Sequence, residues 1–358
     1  MKLKENKTED LVQIRDGIAI DNKKGVATEK AKYDYEVVNK KCKFELKAEV
    51  KLREGQNLND ILSIIKTSIA ELKEGKIFLG AMTTKGFGRF QLKSERVYVF
   101  QFPTDGEKYL KGIQTGFEQF QLYNLANVKP LVRKPDKDFV IEAKFNLKSS
   151  LIVSSYTVDP NEPDKVHIKF NEESAIPGTS LKGAIRSRAL RIINTYGANG
   201  EEILKETFGW ANTKEPEDKK YKSRVIVEES MVKGASESIQ TRIKIDRFTG
   251  GVIKGALVET KPMWHKDEEI VVKITIKDYQ PWEAGLMLLI LKDLWTSDLP
   301  IGGEKSIGRG TLAGKEAKIE FDERVILLKE ENGKITLEGG GKEELEKFVK
   351  SLFEKIGG

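Results

Sequence analysis

One cysteine, Cys42, and two histidines, His167 and His265, are all that the 358 residues hold of the side chains that most often bind zinc or change charge near neutral pH. A lone thiol excludes internal disulfides. With two histidines it also makes a poor start for a Cys/His zinc site. The histidines lie 98 residues apart and suggest no Ser-His-Asp or Cys-His pair. No carboxylate cluster has metal-ligand spacing, so no metal ligands are assigned. No window nears the roughly 18 apolar residues of a membrane span, and the opening MKLKENKTED is too charged for a signal peptide. A cytoplasmic protein without a membrane partner is the expectation.

What the chain has in abundance is charge of both signs: 62 basic and 56 acidic residues, a third of the total, leaving a net +6. The prominence of Lys and Glu resembles the composition of proteins that work hot, where ion-pair networks gain value. The modest positive balance permits a polyanionic partner without demanding one. Hydrophobic residues at 39% and this length suit about two soluble domains, each able to bury a core.

The order of elements occurs twice. A hairpin is expected around Ile14–Ala27, a strand over 42–51, a helix over 58–72, a glycine loop at 80–90 and a strand over 91–100. Ile20-Asp21 and Gly25 match Ile245-Asp246 and Gly250 at an offset of 225; Gly86 and Gly88 match Gly308 and Gly310 at 222. The helix of 58–72 returns near Pro281–Trp295, after a strand near Ile270–Lys277. Four elements in order at a steady offset indicate an internal repeat. The expected division is a partial first module at 1–102, a linker at 103–138, a complete second module at 139–322, and a C-terminal hairpin and helix at 323–358. The first copy lacks the front strand and helix of the second, which leaves a sheet edge for another polypeptide, or for a folded-back segment, to cover.

Three stretches point to phosphate. In Ile176-Pro177-Gly178-Thr179-Ser180-Leu181-Lys182-Gly183, Pro177 and Gly178 halt what precedes, and Thr179 or Ser180 can cap the helix that follows. Lys182, Arg186, Arg188 and Arg191 then gather beside a positive helix terminus, either as a phosphate site or as a solvated basic face. The loops 80–89 and 302–310 set Lys85 and Arg89, or Lys305 and Arg309, among Gly86, Gly88, Gly308 and Gly310, where backbone N–H groups can approach an anion closely. Their order, helix before and strand after, is the reverse of a Rossmann or Walker loop. A tight turn into a strand is the alternative. Finally, Thr241–Gly251 alternates apolar and polar residues about Asp246 and Arg247 and is flanked by basic ones, as a hairpin laid on nucleic acid would be; a plain hairpin turn is the alternative. The acids nearest the first stretch are Asp159, Glu162 and Asp164, where a carboxylate holding a divalent ion could assist attack by a 2′-hydroxyl, or simply form a solvated loop.

Together, Ile176–Gly183, the downstream glycine loop and Ile245-Asp246-Arg247-Phe248-Thr249-Gly250 resemble the RAMP superfamily of CRISPR-associated proteins, most of all the backbone subunits of type III interference complexes. The likeness spans about 139–320, with 14–100 as a partial second copy. It implies an α+β fold: tandem ferredoxin-like, RRM-like modules with projecting β-hairpin thumbs, the first incomplete at its N-terminus. It implies that Ser180, Lys182, Arg186, Gly308 and Gly310 hold the backbone of a crRNA, and that a thumb around Asp246 and Arg247 enters the duplex of guide and target RNA. Other CRISPR-associated subunits are the implied partners, one of them a candidate to complete the first module. Family members that cleave target RNA use an aspartate upstream of the anchor helix. Here His167–Ala175 contains none, so Asp164 and Asp159 are the stand-ins and cleavage stays open, with Mg2+ or another divalent ion as cofactor if it occurs. Rival readings are a CRISPR repeat-processing endoribonuclease, with His167 or His265 as its base, and a purely structural scaffold.

Overall fold

A computed structural model describes residues 2–3, 11–21, 24–40, 42–132, 136–155, 161–170, 173–210, 220–265 and 269–357. They form two compact units, Met1–Leu46 with Thr84–Gly86 and Asp136–Gly358, and Lys47–Thr83 with Phe87–Pro135.

The larger unit is a mixed α+β body. Its main sheet runs through β1 (Phe139–Leu147), β2 (Val225–Val227), β3 (Ile270–Ile276), β4 (Leu312–Phe321), β5 (Arg324–Glu331) and β6 (Lys334–Glu338), in the spatial order β2-β3-β1-β4-β5-β6, antiparallel throughout. Between β1 and β2 lies helix α1 (Gly178–Thr195), and between β3 and β4 helix α2 (Pro281–Trp295). Strict alternation in β1 buries Phe139, Ile141, Ala143 and Phe145 on one face. Leu181, Ile185, Ala189 and Ile193 of α1 and Met287, Ile290 and Leu294 of α2 join the same core. Helix α2 is apolar nearly all round because a third helix, α3 (Lys342–Gly357), covers its outer side: a Cβ on Gly285 would meet the Phe348 carbonyl oxygen at 2.2 Å.

The other face of the sheet carries Glu142, Lys144, Lys273, Glu316 and Lys318, bridged by pairs such as Lys144 with Glu316 at 3.3 Å and with Glu269 at 3.4 Å. Among the described residues, none with its side chain on that face is aromatic. Stacking of bases on the sheet itself, as an RRM does it, has no platform here. The hairpin expected near 14–27 is longer, Val12–Asp21 paired with Val26–Val38, and is pinned through Arg15, which stacks over Phe170 and pairs with Glu229 at 2.7 Å.

The smaller unit holds the expected helix, Leu58–Lys73, capped by Asn57, whose Oδ1 accepts the Asn59 N–H. The expected linker 103–138 is not featureless. It contains the helix Gly106–Thr115, and Tyr109, Phe117 and Phe120 cluster with Phe100 at ring-centroid distances of 5.6 to 5.8 Å. The strand expected over 42–51 shrinks to Phe44–Glu45, and 91–100 joins no ladder among the described residues. Ahead of α1 lie the short strands Lys165–His167, Lys169–Phe170 and Glu173–Ile176.

Candidate nucleic-acid interface

Strand direction decides which loops can act together. Leu147, the last residue of β1, pairs with Leu312, the first of β4; Phe145 pairs with Ile270 at the start of β3, and Val227 at the end of β2 pairs with Ile274. The connections 148–177, 228–269 and 296–311 therefore leave the sheet at one end, where α1 also begins. The helix start, the basic hairpin and the second glycine loop, far apart in sequence, share that end.

At the helix start the N-cap position is Pro177, ahead of both Thr179 and Ser180, which lie inside the helix. Gly178 follows because a Cβ there would come within 2.4 Å of the Lys85 carbonyl oxygen and 2.5 Å of that of Val227. Thr179 shares a hydrogen bond with Tyr35, whose pKa burial raises. Thr179 and Ser180 are half-buried, and Gly183 faces open space. Lys182, expected against RNA, turns inward. Its Nζ donates to Ser223 Oγ and the Val225 carbonyl at 2.7 Å each and to the Thr84 carbonyl at 3.3 Å, while burial, with the Lys85 charge beside it, lowers its pKa to about 7. Arg186 pairs with Glu201 at 2.8 Å at the surface, while Arg188 pairs with the buried Asp293 of α2 at 2.6 Å and ties the two helices together. Lys85 is half-buried, and Gly86 abuts the Glu229 backbone nitrogen.

The two glycine loops are one structure made twice. Left-handed φ values occur at Gly80, Met82, Gly86 and Gly88 (90°, 55°, 91° and 76°) and again at Gly302, Glu304, Gly308 and Gly310 (78°, 55°, 85° and 77°). Each loop is closed by a backbone pair, the Leu79 N–H to the Gly88 carbonyl and the Ile301 N–H to the Gly310 carbonyl, both at 2.9 Å. In the second loop Lys305 and Gly308 are exposed. Arg309 is not: it is 2% exposed, with Nε 3.0 Å from Glu304 and Nη2 donating to Gln240. Arg89, in the first loop, is exposed and lies 5.5 Å from the Phe78 ring centroid.

The basic hairpin is an arm built on Gln240–Arg242 and Val258–Lys261. Its tip is held by Asp246, whose Oδ1 accepts the N–H groups of Phe248 and Thr249 at 2.8 and 2.9 Å; these bonds lower its pKa. The first hairpin repeats the device, with Asp21 Oδ1 accepting the Lys24 N–H at 3.1 Å. Along the arm Ile243, Ile245 and Val252 are exposed, Phe248 fully so, beside exposed Lys244, Arg247 and Lys254. A fixed turn that holds an aromatic ring and cations in solvent suits stacking and phosphate contact together.

The acids do not assemble. Asp164 is exposed and its Oδ2 accepts the Glu259 N–H at 3.0 Å, bracing a strand of the arm; Asp159 lies outside the described residues, and Glu162 is exposed. Among the described residues no group of three or more His, Cys, Asp or Glu could hold a metal ion. His167 is buried, its Nδ1 accepts the Val153 N–H at 3.1 Å, and desolvation lowers its pKa to about 4, which leaves it unfit as a surface base. His265 is half-buried.

Sequence reasoning did not single out Glu304, Gln240 or Thr260, which surround Arg309, nor Tyr35 at the helix start. A carboxylate between two glycines and a lysine gives no linear sign of a partner 62 residues away. No helix among the described residues is long and apolar enough to cross a membrane. No curated protein matches the chain. The model of one family, the RAMP superfamily, matches residues 5–91 and 144–313, most of the chain and both copies of the repeat. With its duplicated glycine loops and Asp-turn hairpins, this chain belongs to the RAMP superfamily.

Proposed function

We propose that the chain is a crRNA-binding backbone subunit of a type III CRISPR ribonucleoprotein complex, working in the cytoplasm. Membership of the superfamily supports a CRISPR-associated, RNA-binding role. The observation that carries the finer reading is the convergence of helix start, arm and glycine loop at one end of one antiparallel sheet. The order β2-β3-β1-β4 with a helix after β1 and after β3 is what a ferredoxin-like module requires, and we read 139–322 as that module. The first copy, within 1–102, is its partial duplicate, joined by 103–138 and followed by 323–358.

In this reading the backbone of the guide runs over the half-buried hydroxyls of Thr179 and Ser180 and past Gly308. Lys244, Arg247, Lys254 and Lys305 neutralise phosphates. Phe248 stacks between bases of the paired target. Lys182, Arg188 and Arg309 hold the surface in shape from behind, and Arg186 pairs with Glu201 at its edge. Neighbouring CRISPR-associated subunits complete the assembly. Cleavage of target RNA is a separate proposal that rests on Asp164, exposed at the base of the arm. The burial of His167 counts against a repeat-processing endoribonuclease that uses it as base.

The test is binding of single-stranded RNA to the purified chain across a salt series. Four neutralised phosphates give a slope near −2.8 in log K against log salt, a roughly 50-fold loss from 50 to 200 mM. Removal of Arg247 and Lys305 together halves that slope. Affinity that ignores salt, or an assembly purified free of RNA, contradicts the reading. Added target that is cut with magnesium by the wild type and not by Asp164→Ala supports cleavage; cutting by both, or by neither, removes it.

A further inference from the structure

We propose that Glu304 is a positioning residue that clamps the glycine loop to the base of the arm, so that the two segments move as one body. The inference rests on the RNA-binding reading for its purpose and on geometry alone for the clamp. Each carboxylate oxygen of Glu304 takes a different arginine: Oε1 accepts from Nη2 of Arg242 in the arm, and Oε2 lies 3.0 Å from Nε of Arg309 in the loop. Arg309 then reaches back, with Nη2 donating to Gln240 Oε1 and lying 3.4 Å from Thr260 Oγ1. Gln240 and Thr260 face each other across the two strands of the arm. Five side chains thus tie one loop to both strands at a joint where Arg309 is 2% exposed.

The first copy of the repeat shows that the loop does not need this cluster in order to form. At the matching positions it has Met82 for Glu304, Phe87 for Arg309 and Gly17 for Arg242, yet its backbone repeats the same left-handed φ values. A cluster that the loop can form without, made of side chains contributed by two elements, has the joint itself as its role. Two guanidiniums around one carboxylate, that of Arg309 buried and that of Arg242 partly exposed, make the joint sensitive to loss of that single negative charge.

Hydrogen exchange on the full chain without RNA tests the clamp, comparing wild type with Glu304→Gln. The variant keeps shape and leaves the buried Arg309 and the partly exposed Arg242 without a counter-charge. Amides of 239–245 and 256–261 are expected to exchange about tenfold faster or more, with α1 and the main sheet unchanged. Arg242→Met, which cuts the arm's half of the clamp while Arg309 keeps its carboxylate, loosens the same segments should Glu304→Gln fold poorly. In RNA binding, Glu304→Gln lowers affinity without altering the salt slope, since the exposed cations remain. Unchanged exchange at the base of the arm in both variants overturns the clamp. A gain in RNA affinity overturns it as well, because it makes the carboxylate a competitor of phosphate. Wild-type chain that binds no RNA overturns the reading of the interface and leaves the exchange comparison to decide the clamp.

Discussion

Lys182 illustrates how one residue can be read correctly for place and wrongly for partner. It stands at the start of the second turn of α1, where the sequence gathers cations, but it is also four positions after Gly178 and three before Ile185, inside the stripe that α1 turns to the core. The stripe wins because Ser223, Val225 and Thr84 supply three oxygens for its Nζ. Burial costs the charged form most, so the folded chain holds fewer protons on Lys182 than the unfolded chain does between its lowered pKa of about 7 and the ordinary value of 10.5. Stability contributed by this group therefore rises with pH through that window and is least below pH 7. Lys182→Met removes the titration. The difference in Tm between wild type and Lys182→Met is expected to shift in the wild type's favour from pH 6.5 to 9. A difference that stays flat across that range contradicts the burial argument.

At the level of elements, the glycine loop was legible because its demands are written in residue type. Gly86, Gly88, Gly308 and Gly310 recur at a fixed offset, and the φ values follow them. The two glycines of the second loop differ in what surrounds them. A Cβ on Gly310 would sit 1.8 Å from the Ile301 carbonyl oxygen, across the bond that closes the loop, whereas Gly308 meets nothing within 4 Å. Gly308→Ala should cost about 1 kcal/mol, the strain of a left-handed residue with a side chain. Gly310→Ala adds a clash with backbone that cannot move aside and should cost about 3 kcal/mol or more. Denaturant unfolding of the two variants measures the gap, and equal costs contradict the geometry. The hairpins and helices were similarly legible from alternation and 3.6-residue spacing. The segment 103–138 was not, because Gly106, Gly112 and Gly116 break the period while Tyr109, Phe117 and Phe120 hold it together through ring contacts that no local pattern announces.

For the whole molecule, the sequence carried the parts of the candidate interface and the sheet supplied their meeting. Strand order turns three distant connections into neighbours, and only pairing partners such as Leu147 with Leu312 reveal it. The same geometry sorts the cations. Arg188 and Arg309 pair inward, while Lys244, Arg247, Lys254 and Lys305 stay exposed. In the proposed reading, RNA meets the second group and not the first. Ultraviolet crosslinking of bound RNA, mapped peptide by peptide, tests this most directly. The account predicts adducts in 148–155, 179–183, 240–254 and 305–308. Adducts confined to the other end of the sheet, in 196–210, 220–224, 277–280 or 322–324, would contradict it.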